Sequence, residues 1–282
     1  MSPDIVLVGH VAHDLQSDGS LRLGGTVTYA ALLAQHHGLR IGILTSAPAQ
    51  VIAELQTCIP TADICVVPSP TATVFENVYG PTGRVQYLRD RAAPLTLVHL
   101  PESWRTAPIT LLGPIADEIA PEFAAMLRGP LRAATPQGWL RAWGVDGRVT
   151  SIPWGTADAI TPSLTDLILS EEDLAIAAGM QDGTPHVAQW AEHIPRVVLT
   201  DGPRGATLWH HGVPQHIPAF PVAEVDPTGA GDTFACAYLI TLQRTGDPMV
   251  AVRYAHAAAS FVVQSPGTAG IPTPQQIAAR LA

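Results

Sequence analysis

Residues 226–232 read "DPTGAGD", and the apolar run "TFACAYLI" follows at 233–240. Gly229, Ala230 and Gly231 let the backbone turn tightly just ahead of an acid, Asp232. A helix starting at about Gly231 points several unpaired N–H groups at one spot. With the helix dipole, such a terminus favours an anion, above all a phosphoryl group carrying developing charge. Asp232, in the first turn, would stand beside that anion. Taken alone, the string is more simply a glycine turn followed by an N-terminal helix acid. The chemistry therefore depends on what the rest of the chain brings to it.

Composition removes several alternatives. The chain has 282 residues and no lysine; all 15 of its cations are arginine. A Walker A loop and a Schiff-base cofactor site both need a lysine, so neither is present. Net charge is −9 with no basic cluster, which argues against nucleic acid as a partner. Three cysteines (Cys58, Cys65, Cys236) suit neither a disulfide framework nor a four-ligand zinc site, so a reduced cytoplasmic setting is expected. No apolar run is long enough to span a bilayer, and the N-terminus "MSPDIVLVGH" lacks the features of a secretory signal. His10, His13 and Asp14 form "HxxHD", but positions 10 and 13 of a strand face opposite sides, so a shared metal would need a turn there.

The elements that must position Asp232 follow from hydrophobic patterning. Apolar, β-branched runs at 5–10, 40–46, 63–69, 109–114, 166–170 and 196–202 read as short buried strands. Helical stretches at 25–38, 48–58, 120–129 and 184–193 alternate with them, and two helices at about 231–244 and 248–264 close the chain. Such alternation implies an α/β fold with a mainly parallel sheet covered on both faces. Residues 14–23 and 73–89 break the rhythm, the second alternating around "GPTG". They are two surface hairpins or one small accessory sheet, and periodicity does not decide between them.

"VDPTGAGDTFACAYLI" (225–240) resembles the C-terminal signature of the ribokinase (PfkB) family of carbohydrate kinases, and further stretches match in chain order. "IVLVGHVAHDL" resembles the first strand ending in a substrate-binding aspartate, here Asp14. "LGGTVTYAALLAQHHGLRIGILTSA" resembles the di-glycine substrate loop, with Gly24 and Gly25, and the helix after it. "VVLTDGPRGATLW", with Thr200, Gly202, Arg204 and Gly205, resembles the strand and turn at the nucleotide phosphates. "AHAAASFVVQSPGTAGIP", with His256 and Gly267, resembles the helix and loop around the adenine.

The resemblance implies a Rossmann-like three-layer α/β/α ribokinase-like fold, a single domain over 1–282, with the 14–23 and 73–89 segments as a small β lid. It implies an ATP- and Mg2+-dependent kinase acting on a small sugar or polyol, as a monomer or homodimer. The amides of Gly229, Ala230 and Gly231 would form an anion hole, and Asp232 would be the general base. Arg204 is a phosphate-clamp candidate in a chain without lysine, equally readable as a solvated turn arginine. Asp226 would lie near a monovalent cation such as K+.

Departures from the family pattern bear on metal and acceptor. The metal-organising Asn-x-x-Glu is replaced by "SEED", with Ser170 and Asp173 at its ends and Glu171 or Glu172 as substitutes. Tyr29 stands where many sugar kinases carry an Asn. Tyrosine fills space and offers one hydroxyl, which argues against ribose held in the usual way. Glu118, in "GPIADEI", is a substrate-contact candidate or a surface helix acid, and His13 is expected to line the pocket. "VGHVAHDL", "GPIADE" and "TPQGWLR" are closer to the inositol kinase-like branch. A nucleoside kinase of the same fold, and a non-catalytic small-molecule sensor, are the competing readings.

Overall fold

The computed structural model describes residues 2–80 and 83–282. In chain order it begins with β1 (Ile5–Val8), β2 (Ala12–Leu15), β3 (Leu21–Gly24), α1 (Thr26–His36), β4 (Ile41–Ala47), α2 (Ala49–Cys58) and β5 (Asp63–Pro68). Next come β6 (Thr73–Gly80), β7 (Gly83–Asp90), β8 (Ile109–Leu112), β9 (Leu131–Ala134), β10 (Arg141–Trp143), β11 (Val149–Ser151) and α3 (Ala157–Ile160). The remainder is β12 (Asp166–Ser170), α4 (Glu171–Ala177), α5 (Thr184–Ala191), β13 (Arg196–Thr200), β14 (Ala206–His210), β15 (Val213–Ile217), α6 (Ala230–Thr245), α7 (Pro248–Val262) and α8 (Pro274–Leu281).

The main sheet has the order β15-β14-β13-β12-β9-β8-β1-β4-β5. It is parallel from β13 to β5, and β14 and β15 continue it antiparallel at one edge. Its central strands are apolar on both faces because both are covered. Ile5, Leu7, Ile43 and Leu111 pack with residues of α1, α2, α6, α7 and α8. Val6, Val8, Leu44 and Leu112 face the other way, toward α3, α4 and α5. The three-layer α/β fold expected from the alternation is thus the one observed.

Residues 120–129 do not form the expected α-helix. Pro121–Met126 is a 3-10 helix, and Leu127 leaves it in an extended conformation. The next amide, Arg128 N–H, is drawn to the carbonyl of Arg105 at 2.7 Å, so a tertiary bond takes the place of another turn. Strand β9, "LRAA", escaped the apolar-run criterion because alanine carries little β signal.

The two irregular segments pair with one another as a four-stranded sheet, β3-β2-β6-β7. β2 lies parallel to β6, with Asp14 opposite Phe75, and antiparallel to β3, with Asp14 opposite Arg22. Pro81 and Thr82, of the "GPTG" stretch, lie outside the described residues. Ala12, Phe75 and Leu88 on one face of this small sheet pack against Ile115 and Ala116 of the main body. That face looks onto the ends of the central strands.

Candidate active site

In a parallel sheet, ligands favour the carboxyl ends of the strands where the chain order reverses. Here that point is at β1 and β8: the chain proceeds from β1 through β4 to β5, then returns to β8 on the other side of β1. β2 leaves this end and carries Asp14, and α1 starts beside it.

α6 is aimed at the same place. Its N-cap is Gly229, in the left-handed region at φ 77°. A Cβ at Gly229 would lie 2.1 Å from the ring of Tyr29, so both backbone conformation and space require glycine. Tyr29 is therefore the floor under the turn; it is 1% exposed and its hydroxyl has no partner among the described residues. Burial, with Asp14 and Asp232 adding to it, raises its pKa. The turn also corrects the expected donor set. Ala230 N–H donates to the carbonyl of Pro227 at 3.2 Å. Among the described residues, the N–H groups of Gly229, Gly231 and Asp232 have no acceptor, and these are the donors available to an anion.

Asp232 projects from the first turn of α6. Burial raises its pKa; the Thr26 hydroxyl and the Arg141 guanidinium oppose the shift, and the charge of Asp173 reinforces it. A carboxylate raised in this way, next to free N–H donors, is suited to accept a proton.

Asp14 is the second carboxylate of the cleft. Burial raises it to about 6; Arg22 opposes the rise, and Asp226 adds to it. Its side chain accepts no hydrogen bond among the described residues, so both oxygens are free for hydroxyl donors, and Gly24 abuts it. Gly25 caps α1. On the same face of the small sheet stand Phe75, Asn77 and Gln86, the last donating to Asn77 Oδ1 at 3.1 Å. The amide pair was missed in the sequence, where nothing marks which face of a hairpin will be turned inward.

Two expected acceptor contacts lie elsewhere. Glu118 is 1% exposed and accepts from the amides of His10 (2.9 Å), Ile115 (3.0 Å) and Ala116 (2.7 Å). It is neither a surface acid nor a substrate ligand, because its oxygens are spent on the backbone. His13 alternates to the face opposite Asp14, where its Nε2 meets Glu54 Oε2 of α2 at 2.7 Å. His10 is held between Thr73 and Ala93, and no group of three metal-ligating side chains occurs among the described residues.

On the expected donor side, Thr200 ends β13 and Gly202 and Gly205 shape the turn after it. Arg204 in that turn is exposed and pairs with Asp201 at 2.5 Å, as a solvated turn arginine does. His256 is likewise displaced from its expected role. It is buried between α6 and β15, edge-on to Phe234 at 5.1 Å, and burial lowers it to about 4, so it is a neutral core residue. Gly267 does reach the site: its N–H donates to Asp226 Oδ2 at 3.0 Å, while Asp226 Oδ1 accepts from Thr228 at 3.0 Å. One carboxylate thus clamps the turn before α6 to the turn after α7.

The three expected metal residues do not converge. Glu172 is exposed, and Asp226 is committed to its two amides. Asp173 Oδ2 closes a capping box with Ser170, through the amide (3.1 Å) and hydroxyl (2.8 Å). Its other oxygen has no hydrogen-bond partner among the described residues. A magnesium ion, which keeps several waters and prefers substrate phosphates, fits one such carboxylate near a bound polyphosphate.

Arg141 is the main residue that sequence reasoning did not single out, although "TPQGWLR" contains it. It starts β10, donates to the Ile115 carbonyl at 2.9 Å and lies over the Phe75 ring at 5.3 Å. Its charge acts on Asp232, and those of Asp173 and Asp232 act on it, although burial is the dominant influence on its own pKa and lowers it. It makes no ion pair among the described residues, which leaves an unpaired cation whose charge reaches Asp232.

Residues 151–276 match the sequence family described as pfkB family carbohydrate kinase. The bifunctional protein HldE of Bradyrhizobium diazoefficiens is 35% identical over 123 residues, 41% of this chain and 25% of that protein. The ribokinase of Bacillus subtilis is 39% identical over 83 residues, 29% of this chain and 28% of that protein. The chain thus spans about a quarter of the length of the curated relatives it matches. A sulfate complex of a pyrophosphate-dependent kinase in the ribokinase family superposes with a TM-score of 0.82 at 19% identity, covering 98% of this chain and 99% of that one. That likeness is one of fold. No helix among the described residues is long and apolar enough to cross a membrane. The pfkB carbohydrate kinase match thus covers the C-terminal part of the chain, and the ribokinase-like fold extends over its whole length.

Proposed function

We propose that the protein is an ATP-dependent kinase that transfers the γ-phosphoryl group to a hydroxyl of a small polyol, with an inositol-like acceptor favoured. The observation that carries this reading is that two carboxylates raised by burial, Asp14 and Asp232, stand at the same end of the sheet as the free N–H groups at the start of α6. A binding protein needs Asp14 but has no use for a raised carboxylate beside an anion site.

Asp14 accepts two hydroxyls of the acceptor and orients a third toward Asp232. Asp232 takes the proton of the attacking hydroxyl, late in a loose transition state. The N–H groups of Gly229, Gly231 and Asp232, with Arg141, stabilise the charge on the phosphoryl group. Each such preorganised donor is worth about 3–4 kcal/mol in a water-poor site. Magnesium would neutralise the donor phosphates when bound, and the free oxygen of Asp173 would orient its water shell. The small sheet acts as a lid, and Asn77 and Gln86 face the acceptor end. Closure excludes water and limits loss of the donor to hydrolysis.

An ADP-release assay with MgATP and a panel of myo-inositol, ribose, fructose, gluconate and adenosine tests the proposal, and magnesium pyrophosphate is tried as an alternative donor by direct detection of the phosphorylated acceptor. Turnover fastest with myo-inositol is the expected result. Preference for adenosine would move the reading to a nucleoside kinase, and no turnover with any acceptor would refute it.

A further inference from the structure

Arg22 sits between the two halves of the cleft. It lies on β3, the edge strand of the small sheet, directly across from Asp14. Adjacent residues opposite one another in an antiparallel pair share a face, so its side chain leaves the sheet on the side of Asp14. From there it runs to the turn after α7. A Cβ on Gly267 would stand 2.8 Å from Arg22 Cδ and 3.2 Å from its Nη1. Gly267 is at φ 57°, and its amide is the one held by Asp226. Arg22 makes no hydrogen bond or ion pair among the described residues, yet its charge is felt by both Asp14 and Asp226.

An exposed arginine whose charge reaches two carboxylates and is bonded to neither is a movable contact. Asp14 belongs to the acceptor side. Asp226 belongs to the donor side, because it fixes the turn that carries the N–H groups of α6. When acceptor hydroxyls occupy Asp14, the carboxylate has less to offer Arg22, and the guanidinium is free to settle on Asp226 and the Gly267 turn. That movement draws the edge of the small sheet onto the donor side.

From this arrangement we infer that Arg22 is a positioning residue that couples acceptor binding at Asp14 to donor binding at the Asp226–Gly267 turn. The inference rests on the kinase reading above and adds to it a positive coupling between the two ligands. By linkage, the acceptor tightens the donor by the same factor as the donor tightens the acceptor.

The test is calorimetric titration with the panel acceptor of highest wild-type kcat/KM and the non-hydrolysable donor analogue AMP-PNP with magnesium. Each ligand is titrated alone and in the presence of the other. In the wild type, each is expected to bind at least about fivefold tighter when the other is present. Arg22→Gln should keep each binary Kd within about threefold and bring the coupling to within twofold of unity. Arg22→Lys, which keeps the cation, should retain part of it. Gly267→Ala displaces the arginine without altering it and should also abolish coupling, its folding being checked by Tm. Independent binding in an active wild type, or full coupling in Arg22→Gln, overturns the inference alone. So does an Arg22→Gln binary acceptor Kd weakened as much as the ternary one, because Arg22 would then be a direct acceptor ligand. A wild type that phosphorylates no acceptor refutes the kinase reading and takes the inference with it.

Discussion

Replacing Asp14 by Asn should move stability and activity in opposite directions. Burial raises this carboxyl from 3.8 to about 6 against the pull of Arg22. A group with a raised folded pKa holds its proton more tightly in the folded state. Its contribution is therefore fully present below pH 4 and is lost as the pH rises through about 6. At 1.36 kcal/mol per pH unit, the ionised group costs the fold at most about 3 kcal/mol above that range. Solvent screening at this partly exposed position leaves roughly half of that figure. Asn keeps the shape and removes the charge, so Asp14→Asn is expected to raise Tm at pH 7.5 by roughly 2–6 °C for a chain of this size. The gain should shrink toward pH 4.5, where the wild type is itself mostly protonated. The same change replaces one of two acceptor oxygens by a donor, and kcat/KM for the acceptor should fall at least about 100-fold, since a hydroxyl loses its charged partner. In the wild type, kcat/KM for the acceptor should decline as pH drops through about 6. Scanning fluorimetry between pH 4.5 and 8, with ADP release at the same pH values, reads both effects. A lower Tm at pH 7.5, or an acceptor kcat/KM within threefold of wild type, would refute the view of Asp14 as an unpartnered acceptor ligand.

Three further outcomes follow from the packing. Gly229→Ala puts a methyl group into the Tyr29 ring at a left-handed position, which should cost about 2–4 kcal/mol of stability and lower kcat more than 100-fold, read by urea unfolding and ADP release. Arg141→Gln should lower kcat about 100- to 1,000-fold with donor KM changed far less, because its charge reaches Asp232 beside the proposed phosphoryl site; a change confined to KM would contradict that role. Glu118→Gln places an amide N–H2 among backbone donors and should lower Tm by roughly 5–10 °C while acceptor KM stays within about threefold. A large rise in KM at unchanged Tm would instead make Glu118 a substrate contact.

β1, β4, β5, β8, β12 and β13 of the main sheet were legible in the sequence because buried strands leave continuous apolar, β-branched runs such as "IVLV" and "RVVLT", whereas β9, β14 and β15 were not. α6 begins at Ala230, within a residue of where the glycine turn predicts, because the turn chemistry is local. What depends on distant partners was not legible. Residues 14–23 and 73–89 showed that they were hairpins, but only the pairing of β2 with β6 makes them one sheet. Glu118 and His256 carry polar side chains that read as site residues, and tertiary packing turns both inward. Asp173 was recognised as an acid at the expected place, while the capping box that occupies one of its oxygens appears only when Ser170 becomes the N-cap of α4. Arg141 carried no local signal at all. Its role comes from the Ile115 carbonyl and the Phe75 ring, which lie far from it in the chain.

The account turns on Asp232 as the proton acceptor at the start of α6. Asp232→Asn preserves the shape of the turn and removes the base. Single-turnover phosphoryl transfer, measured beside calorimetric binding of AMP-PNP with magnesium, separates the two roles. The expected result is a loss of transfer of at least about 1,000-fold with donor Kd within threefold of the wild type. Transfer at a rate near that of the wild type would contradict the account.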